Sequence, residues 1–160
     1  MSYFEKILSI DEEDAEVSNG NAYMLGITTT TLSTNPLTIS FTTPASGPKM
    51  HLIFHAESKD SGSLSFKESI TATGGTTIVA NNRERNSTNT SAATNFTKGA
   101  TISGGTVLLA LDWGQRIVGD EKSKTVRWVL KTNTNYSFEL TGGSPSPGNL
   151  ILDWYEHTDE

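Results

Sequence analysis

Two histidines, His51 and His55, lie four residues apart and are the first candidates for metal binding. On a helix, residues four apart share one face, and two imidazoles there could hold one metal ion. Apolar residues recur around them at every second position, which predicts a strand, and four residues of strand span about 13 Å. Because a zinc ion binds each ligand nitrogen at about 2.0 Å, this pair cannot share an ion. The sequence predicts no metal site and no cofactor.

A polar segment, residues 81–95, is the second candidate, because it has no Gly, no Pro and no apolar residue larger than Ala. Its guanidinium and amide groups suit carboxylates and backbone carbonyls. Long loops in compact domains are usually functional or disordered. Two interpretations stay open, a solvated mobile loop and a contact with a neighbouring subunit or another protein. The residues that would make the contact are Asn82, Arg83, Glu84, Arg85 and Asn86.

Acidic residues are concentrated near the start of the chain, at Asp11, Glu12, Glu13, Asp14 and Glu16. A calcium loop of the helix-loop-helix type requires a glycine and a terminal glutamate at fixed positions, and this run lacks that spacing. The cluster is therefore predicted to be a solvated acidic arm, or an arm that meets a basic patch on a partner.

The tryptophans and one tyrosine raise the question of sugar binding. Trp113, Trp128 and Trp154 lie on rows that are predicted to face inward, so they are predicted to be core residues. Tyr155 lies on an outward row and is the one candidate for a ring on which a sugar could stack. A carbohydrate-binding sandwich therefore remains an alternative.

Catalytic motifs are missing from the sequence. There is no local nucleophile signature, no phosphate-binding loop and no dinucleotide fingerprint. Paired carboxylates on a sandwich could hydrolyse glycosides, but sequence does not place Asp112, Asp153 and Glu156 near one another. The chain is predicted not to be an enzyme.

Eight short runs in which every second residue is apolar predict the strands on which these candidate residues lie. They are separated by Gly, Pro and Asn, which are turn formers. Such runs predict a single-domain, antiparallel, all-β sandwich of the jelly-roll type, spanning residues 36–160. Residues 1–35 are predicted to be an extended N-terminal arm, or a short strand, rather than a packed helix. The eight runs are 37–41, 50–56, 64–66, 76–79, 107–113, 126–130, 136–140 and 150–154.

Composition narrows the class of partner. A net charge of −6 argues against nucleic acid, which requires a basic patch. No apolar run reaches the about 20 residues of a membrane span, and the first residues lack the pattern of a signal peptide. The absence of cysteine excludes a small disulfide framework. We expect no nucleic-acid partner and no membrane partner.

Three pieces of the sequence resemble small virion proteins of tailed bacteriophages, of the head decoration or capsid cement type. The first is Ile10-Asp11 followed by Gly20-Asn21-Ala22-Tyr23. The second is a strand from His51 to Ser58, later followed by Asn82-Arg83-Glu84-Arg85-Asn86-Ser87. The third is a closing pair, Trp128 to Tyr136 and Trp154 to His157.

This resemblance implies a function and a place in the virion. It implies a non-enzymatic homotrimer on the outer surface of the capsid, which stabilises the capsid by binding the major capsid protein; placement on the tail is also open. It implies subunit or capsid contacts at Ile10, Asp11, Tyr23 and residues 82–86. The alternative is a carbohydrate-binding module of a phage fibre or of a secreted enzyme.

Overall fold

A computed structural model of the chain describes residues 12–114, 122–143 and 145–158. In this part of the chain, one short helix precedes thirteen strands, and every strand pair is antiparallel. The elements are α1 Glu12–Ser18, β1 Ala22–Leu32, β2 Leu37–Thr42, β3 Lys49–Ser58, β4 Gly62–Glu68, β5 Thr71–Thr73, β6 Thr76–Thr77, β7 Asn81–Asn82, β8 Thr94–Lys98, β9 Thr101–Ser103, β10 Thr106–Trp113, β11 Lys122–Val129, β12 Asn135–Gly142 and β13 Ser146–His157.

Two large sheets pack face to face and enclose the core. One has the strand order β11-β3-β13-β1-β7 and the other has the order β10-β4-β12-β2-β8-β6, while β5 and β9 form a separate ribbon. The ring of Phe54 in the first sheet lies 5.0 Å from the ring of Phe138 in the second. Phe66 and Phe138 stack within the second sheet at 4.3 Å. The predicted antiparallel all-β sandwich is confirmed.

The eight longest strands of the fold pair in the jelly-roll pattern. The first of these strands pairs with the last, so that β1 pairs with β13, β2 with β12, β3 with β11 and β4 with β10. The chain is in effect one long hairpin that has been rolled into two layers, which is a jelly roll. Seven of these strands coincide with predicted runs. The eighth is β1, whereas the predicted run at 76–79 contributes only the two-residue edge strand β6.

The predicted N-terminal arm needs correction for its described part. Residues 1–11 lie outside the described residues. Glu12–Ser18 is a helix that contacts β13 and β1, and Ala22–Leu32 is a strand between β13 and β7. Residues 12–18 and 22–32 therefore belong to the sandwich and not to an extended arm. The reason is that Tyr23 and Leu25 bury their side chains opposite Trp154 and Leu152, a long-range pairing that a single run of sequence does not reveal.

Alternation along β3 decides which residues point away from the core. Met50, Leu52, Phe54 and Ala56 are each at most 1% exposed, while the residues between them are half-buried. The neighbouring strand β13 alternates in the same way from Leu150 to Trp154. The outer face of this sheet therefore carries the intervening polar residues, which include the candidate histidines.

A long insertion between β4 and β10, residues 69–105, covers one side of the sandwich, which we call the closed side. Within the insertion, β7 pairs with β1 and β8 pairs with β2, so the insertion extends both sheets. Phe96 is 6% exposed, and its ring stacks on Phe41 at 5.5 Å and on Trp154 at 5.2 Å. Phe96 thus fills the gap between the two sheets at this side.

The opposite side, formed by the edge strands β10 and β11, is covered less completely, and we call it the open side. Its inward-facing residues Leu109, Leu111, Trp113 and Trp128 are only half-buried, although they pack against the core. Val107 was predicted to face inward but is 53% exposed, because a bulge between Val107 and Leu109 shifts the register. Among the three tryptophans, only Trp154 is fully buried.

Candidate functional site

The polar segment, residues 81–95, lies on the closed side and is held there by three anchors. The first anchor is the carboxylate of Glu156 in β13, which is 6% exposed. Its Oε2 accepts the Ala92 N–H at 2.8 Å, and its Oε1 accepts the Ser91 hydroxyl at 2.5 Å and the Ala93 N–H at 3.3 Å. The indole N–H of Trp154 also donates to Oε1. A buried carboxylate requires such donors, so the segment and the charge stabilise each other.

The second anchor is the guanidinium of Arg83. Its Nη1 donates to Glu13 Oε1 at 2.6 Å and to Asp153 Oδ1 at 3.2 Å. Arg127 Nη2 donates to Glu13 Oε2 at 3.0 Å, so Glu13 bridges the two arginines. The backbone N–H of Arg83 donates to Ala22 O at 2.8 Å. Arg83, one of the residues predicted to contact a neighbouring subunit or another protein, thus makes these hydrogen bonds within its own chain.

Burial and the neighbouring positive charge have opposite effects on the pKa of Asp153 in this anchor. Burial raises the pKa of the Asp153 carboxyl above its ordinary value, and the nearby positive charge of Arg83 offsets part of that rise. The hydrogen bond that Arg83 donates to the Glu13 carboxylate raises the pKa of Arg83 above its ordinary value, so the guanidinium stays charged. The Arg83 guanidinium therefore favours the ionised form of Asp153, against the effect of burial.

The third anchor is the turn around Asn82. Its Nδ2 donates to Gly20 O at 2.8 Å and to Asn89 O at 3.1 Å, while its Oδ1 accepts the Glu84 N–H at 2.9 Å. Gly20 has a φ of 73°, and a side chain there would collide with Ser87. The loop thus packs closely over a backbone position that only glycine fits.

The anchors leave a row of exposed polar side chains facing solvent, which we call the presented surface. Arg85 is exposed, and its Nη1 donates to Asn82 O at 3.2 Å. Glu84 accepts the Asn86 N–H at 2.9 Å and so shapes the turn from within the segment. The surface offers hydrogen-bond donors and acceptors on a backbone that is already fixed. Its residues are Arg85, Asn86, Thr88, Asn89 and Thr90.

A polar cleft of about 680 Å³ adjoins the presented surface. On its wall, Glu16 Oε1 lies 3.1 Å from His157 Nδ1, and the Asn21 side chain donates to Glu16 Oε2 at 2.8 Å. Glu156 and Thr88–Thr90 also line the cleft. The cleft is open and polar, and its carboxylates already have partners in the chain.

Several sequence predictions are wrong in the described structure. Tyr23 was predicted to be a contact residue, but it is 2% exposed and belongs to the core. Tyr155 was the one candidate for a ring on which a sugar could stack, but it is 2% exposed, because Arg127 lies 5.0 Å above its ring and His51 stacks on it at 4.6 Å. Glu13 and Glu16 do not form a solvated arm, since they contact basic groups of the same chain. Ile10 and Asp11 lie outside the described residues.

The candidate carboxylates are not brought together. Asp153 and Glu156 are three residues apart in β13, so they point to opposite faces of the strand, and Asp112 lies in β10 of the other sheet. Among the described residues, no group of three His, Asp or Glu could hold a metal ion. No helix in this part of the chain is long and apolar enough to cross a membrane.

Sequence reasoning missed the anchoring role of Glu156 and Glu13. Glu156 was considered only as a catalytic carboxylate, and Glu13 only as one of five acidic residues. The signal that was present is the acidic residue at the end of an apolar strand, Leu150 to Trp154, where a buried charge would need donors. Comparisons of the chain with protein-family models, with curated proteins and with solved structures find no match.

Proposed function

We propose that the protein is a non-enzymatic structural protein of a tailed-phage virion, which decorates and stabilises the capsid by binding the major capsid protein. The observation that carries this proposal is the presented surface. It is an exposed polar row whose backbone is fixed by Glu156, Arg83 and Asn82. Together with the sequence resemblance, it favours a protein that recognises another protein.

A fixed polar surface suits this role for an energetic reason. Ordering a loop upon binding reduces affinity, and a loop that is already ordered avoids that cost. Arg85 and the asparagine side chains then supply hydrogen bonds, of which those from charged groups are the stronger. When the subunit repeats over a symmetric capsid, modest contacts are multiplied by avidity. Such a protein needs stiffness and contact area, and it needs no reaction.

Carbohydrate binding is the alternative, because jelly rolls occur in lectin domains as well as in viral capsids. The polar cleft beside Glu16 and His157 would be its site. Sugar platforms use exposed aromatic rings, whereas every described Phe, Tyr and Trp is buried or half-buried. This distribution favours the structural role over the lectin role.

The test is co-sedimentation of the purified protein with capsids assembled from the major capsid protein of the same genome. We expect the wild type to bind the outer surface, which imaging of the particles would show. Arg85→Glu combined with Thr88→Glu should weaken binding at least about tenfold, because charge-assisted hydrogen bonds are lost. The matched control is Thr71→Glu with Thr73→Glu on the exposed strand β5, which should bind like the wild type.

Two results would count against the proposal. One is a wild type that does not sediment with capsids at micromolar concentration. The other is equal binding by the Arg85→Glu/Thr88→Glu variant and the wild type, which would remove the presented surface from the contact. Binding to immobilised glycans that is lost on substitution of His157 would support the carbohydrate-binding alternative.

A further inference from the structure

The helix α1 is held to the sandwich by charged side chains and not by an apolar face. Four of its seven residues, EEDAEVS, are acidic. Among its described side chains, Glu16 alone is buried, at 8% exposure, while Ala15 and Val17 are half-buried and lie outside the described core. Helices of globular proteins normally gain their stability by packing an apolar face. The docking of α1 departs from that rule.

The acidic face of α1 meets basic side chains from three other parts of the chain. Glu13 and Glu16 are three residues apart and share this face. Glu13 accepts hydrogen bonds from Arg83 of the polar segment at 2.6 Å and from Arg127 of β11 at 3.0 Å. Glu16 Oε1 lies 3.1 Å from Nδ1 of His157 in β13. We call the three basic side chains, Arg83, Arg127 and His157, the carboxylate-binding surface.

The contacts between α1 and the carboxylate-binding surface are weak enough to open. The side chains of Glu13, Arg83 and Arg127 are 27%, 29% and 35% exposed. Ion pairs that solvent reaches contribute little to stability and weaken as salt is added. A helix of seven residues is also unstable in isolation. Helix α1 therefore opens at a lower free-energy cost than the core strands do.

The connection to β1 allows α1 to open while the sheet stays intact. The helix ends where the Asn21 N–H donates to Glu16 O at 2.8 Å, whereas Asn21 O accepts the Glu156 N–H at 2.9 Å and so remains attached to β13. Only residues 19–21 separate α1 from β1. A short tether gives α1 a high effective concentration at its own surface, which favours it there over the α1 of a second copy.

We propose that the carboxylate-binding surface is the docking site for an acidic segment of a different protein, and that α1 occupies this site in the free chain and is displaced on binding. The contacts of α1 define the chemistry of that segment, which is a pair of carboxylates three residues apart on a helix. One carboxylate lies between the two guanidinium groups, whose planar donors match its two oxygens. The other meets His157.

This inference goes beyond the proposed function, since it concerns a second surface, on the outer face of the first sheet. When α1 leaves, Arg83 keeps its contact with Asp153 and its backbone hydrogen bond to Ala22. The polar segment therefore remains anchored, and the presented surface is unchanged. The tests below need no capsid, so their outcome does not depend on whether the protein binds one.

The first test is amide hydrogen exchange of the full chain, at the N–H groups of residues 19–21, which donate to carbonyls of α1. Their exchange should become faster when salt is raised from about 0.05 M to about 1 M, because screening weakens the ion pairs. Glu13→Gln combined with Glu16→Gln should accelerate it at least about tenfold at low salt. The matched control is Asp14→Asn, at an exposed carboxylate of the same helix, which should exchange like the wild type.

The second test is binding of a synthetic peptide of residues 10–20, IDEEDAEVSNG, to the isotope-labelled full chain, followed by the NMR signals of the arginine side chains. The Glu13→Gln/Glu16→Gln chain should bind the peptide at least about tenfold more tightly than the wild type, whose α1 occupies the site. A peptide with glutamine at both positions should bind at least about tenfold more weakly. Adding Arg127→Gln to the chain should weaken binding, and Arg127→Lys should restore it only in part.

Three results would overturn the inference. The first is exchange at residues 19–21 that responds neither to salt nor to the double glutamine substitution, since charge would then not hold α1. The second is a Glu13→Gln/Glu16→Gln chain that binds neither peptide or binds both equally. The third is self-association of that chain in analytical ultracentrifugation, which would make a second copy the partner.

Discussion

The closed side and the open side of the sandwich are built from similar inward-facing residues, yet these residues are buried to different extents. Ile39 and Phe41, on the closed side, are at most 1% exposed. Leu109 and Leu111, on the open side, are half-buried. The residue types and the period of two are the same on both sides. Burial at a sheet edge therefore depends on whether another piece of chain covers that edge.

The insertion that covers the closed side also carries the presented surface. Its inner residues, Ala93 and Phe96, enter the core, while Arg85 and Asn86 remain exposed. The insertion therefore has two faces, one that is part of the structure and one that is available for recognition. The structural face is what keeps the exposed face fixed.

The largest expected effect comes from removing the side chain that fills the closed side. Phe96→Ala should lower the free energy of unfolding by about 3–5 kcal/mol, because it leaves a cavity between Phe41 and Trp154. Leu111→Ala, on the open side, should cost less than half as much. Urea denaturation of the two variants and the wild type would measure both costs. Equal costs would mean that the two sides are covered equally.

The next effect concerns the buried carboxylate that anchors the polar segment. Glu156→Gln should cost about 1.5–3 kcal/mol, since the donors of Ser91, Ala92 and Ala93 lose a charged acceptor. Amide hydrogen exchange at Ala92 and Ala93 should become faster, while the open side is unaffected. Glu57→Gln, at a half-buried carboxylate on the other end of the sheet, is the control. Unchanged exchange in Glu156→Gln would show that the anchor is not needed.

Arg83 and Arg85 offer a matched pair for the second anchor. Arg83→Ala should cost about 1–2 kcal/mol, because Asp153 is left half-buried without its guanidinium partner. Arg85→Ala should change stability by less than about 0.5 kcal/mol, as expected for an exposed position. Thermal and urea unfolding would measure both. If the two variants were equally stable, the Glu13–Arg83–Asp153 contacts would contribute nothing to the closed side.

The smallest expected effect is a pH dependence of the destabilisation that Arg83→Ala causes. Because burial raises the pKa of Asp153, the folded state holds that proton more tightly than the unfolded state. The free-energy cost of keeping the Asp153 carboxyl ionised in the folded state is present at neutral pH. It is relieved as the pH falls through the pKa that this carboxyl has in the folded state. Removing Arg83 raises this pKa further, so the destabilisation by Arg83→Ala should shrink as the pH falls from neutral towards the ordinary aspartate range. Urea denaturation at pH values across that interval would measure it, and a constant difference would contradict it.

Much of the fold follows from local pattern. Seven of the jelly-roll strands and most of their inward rows could be predicted, because alternating side chains along a strand point to opposite faces. The strand β1 was predicted only as part of an arm or as a short strand, because its second half, Thr28 to Thr31, has no apolar alternation. Val107 was misplaced because a bulge changes the register within β10.

The amino-acid sequence alone establishes that residues 81–95 cannot enter a core as a whole and that Glu156 and Arg83 need partners if they are buried. Which partners they have depends on how the chain folds. Arg83 meets Glu13, a contact across 70 residues of chain, and a charge carries no local signal of which opposite charge it will meet. The same reason applies to the edges, since β10 and β11 look like any other strands in sequence. Covering an edge depends on where the rest of the chain lies, and the fold leads the insertion to one side of the sandwich and away from the other.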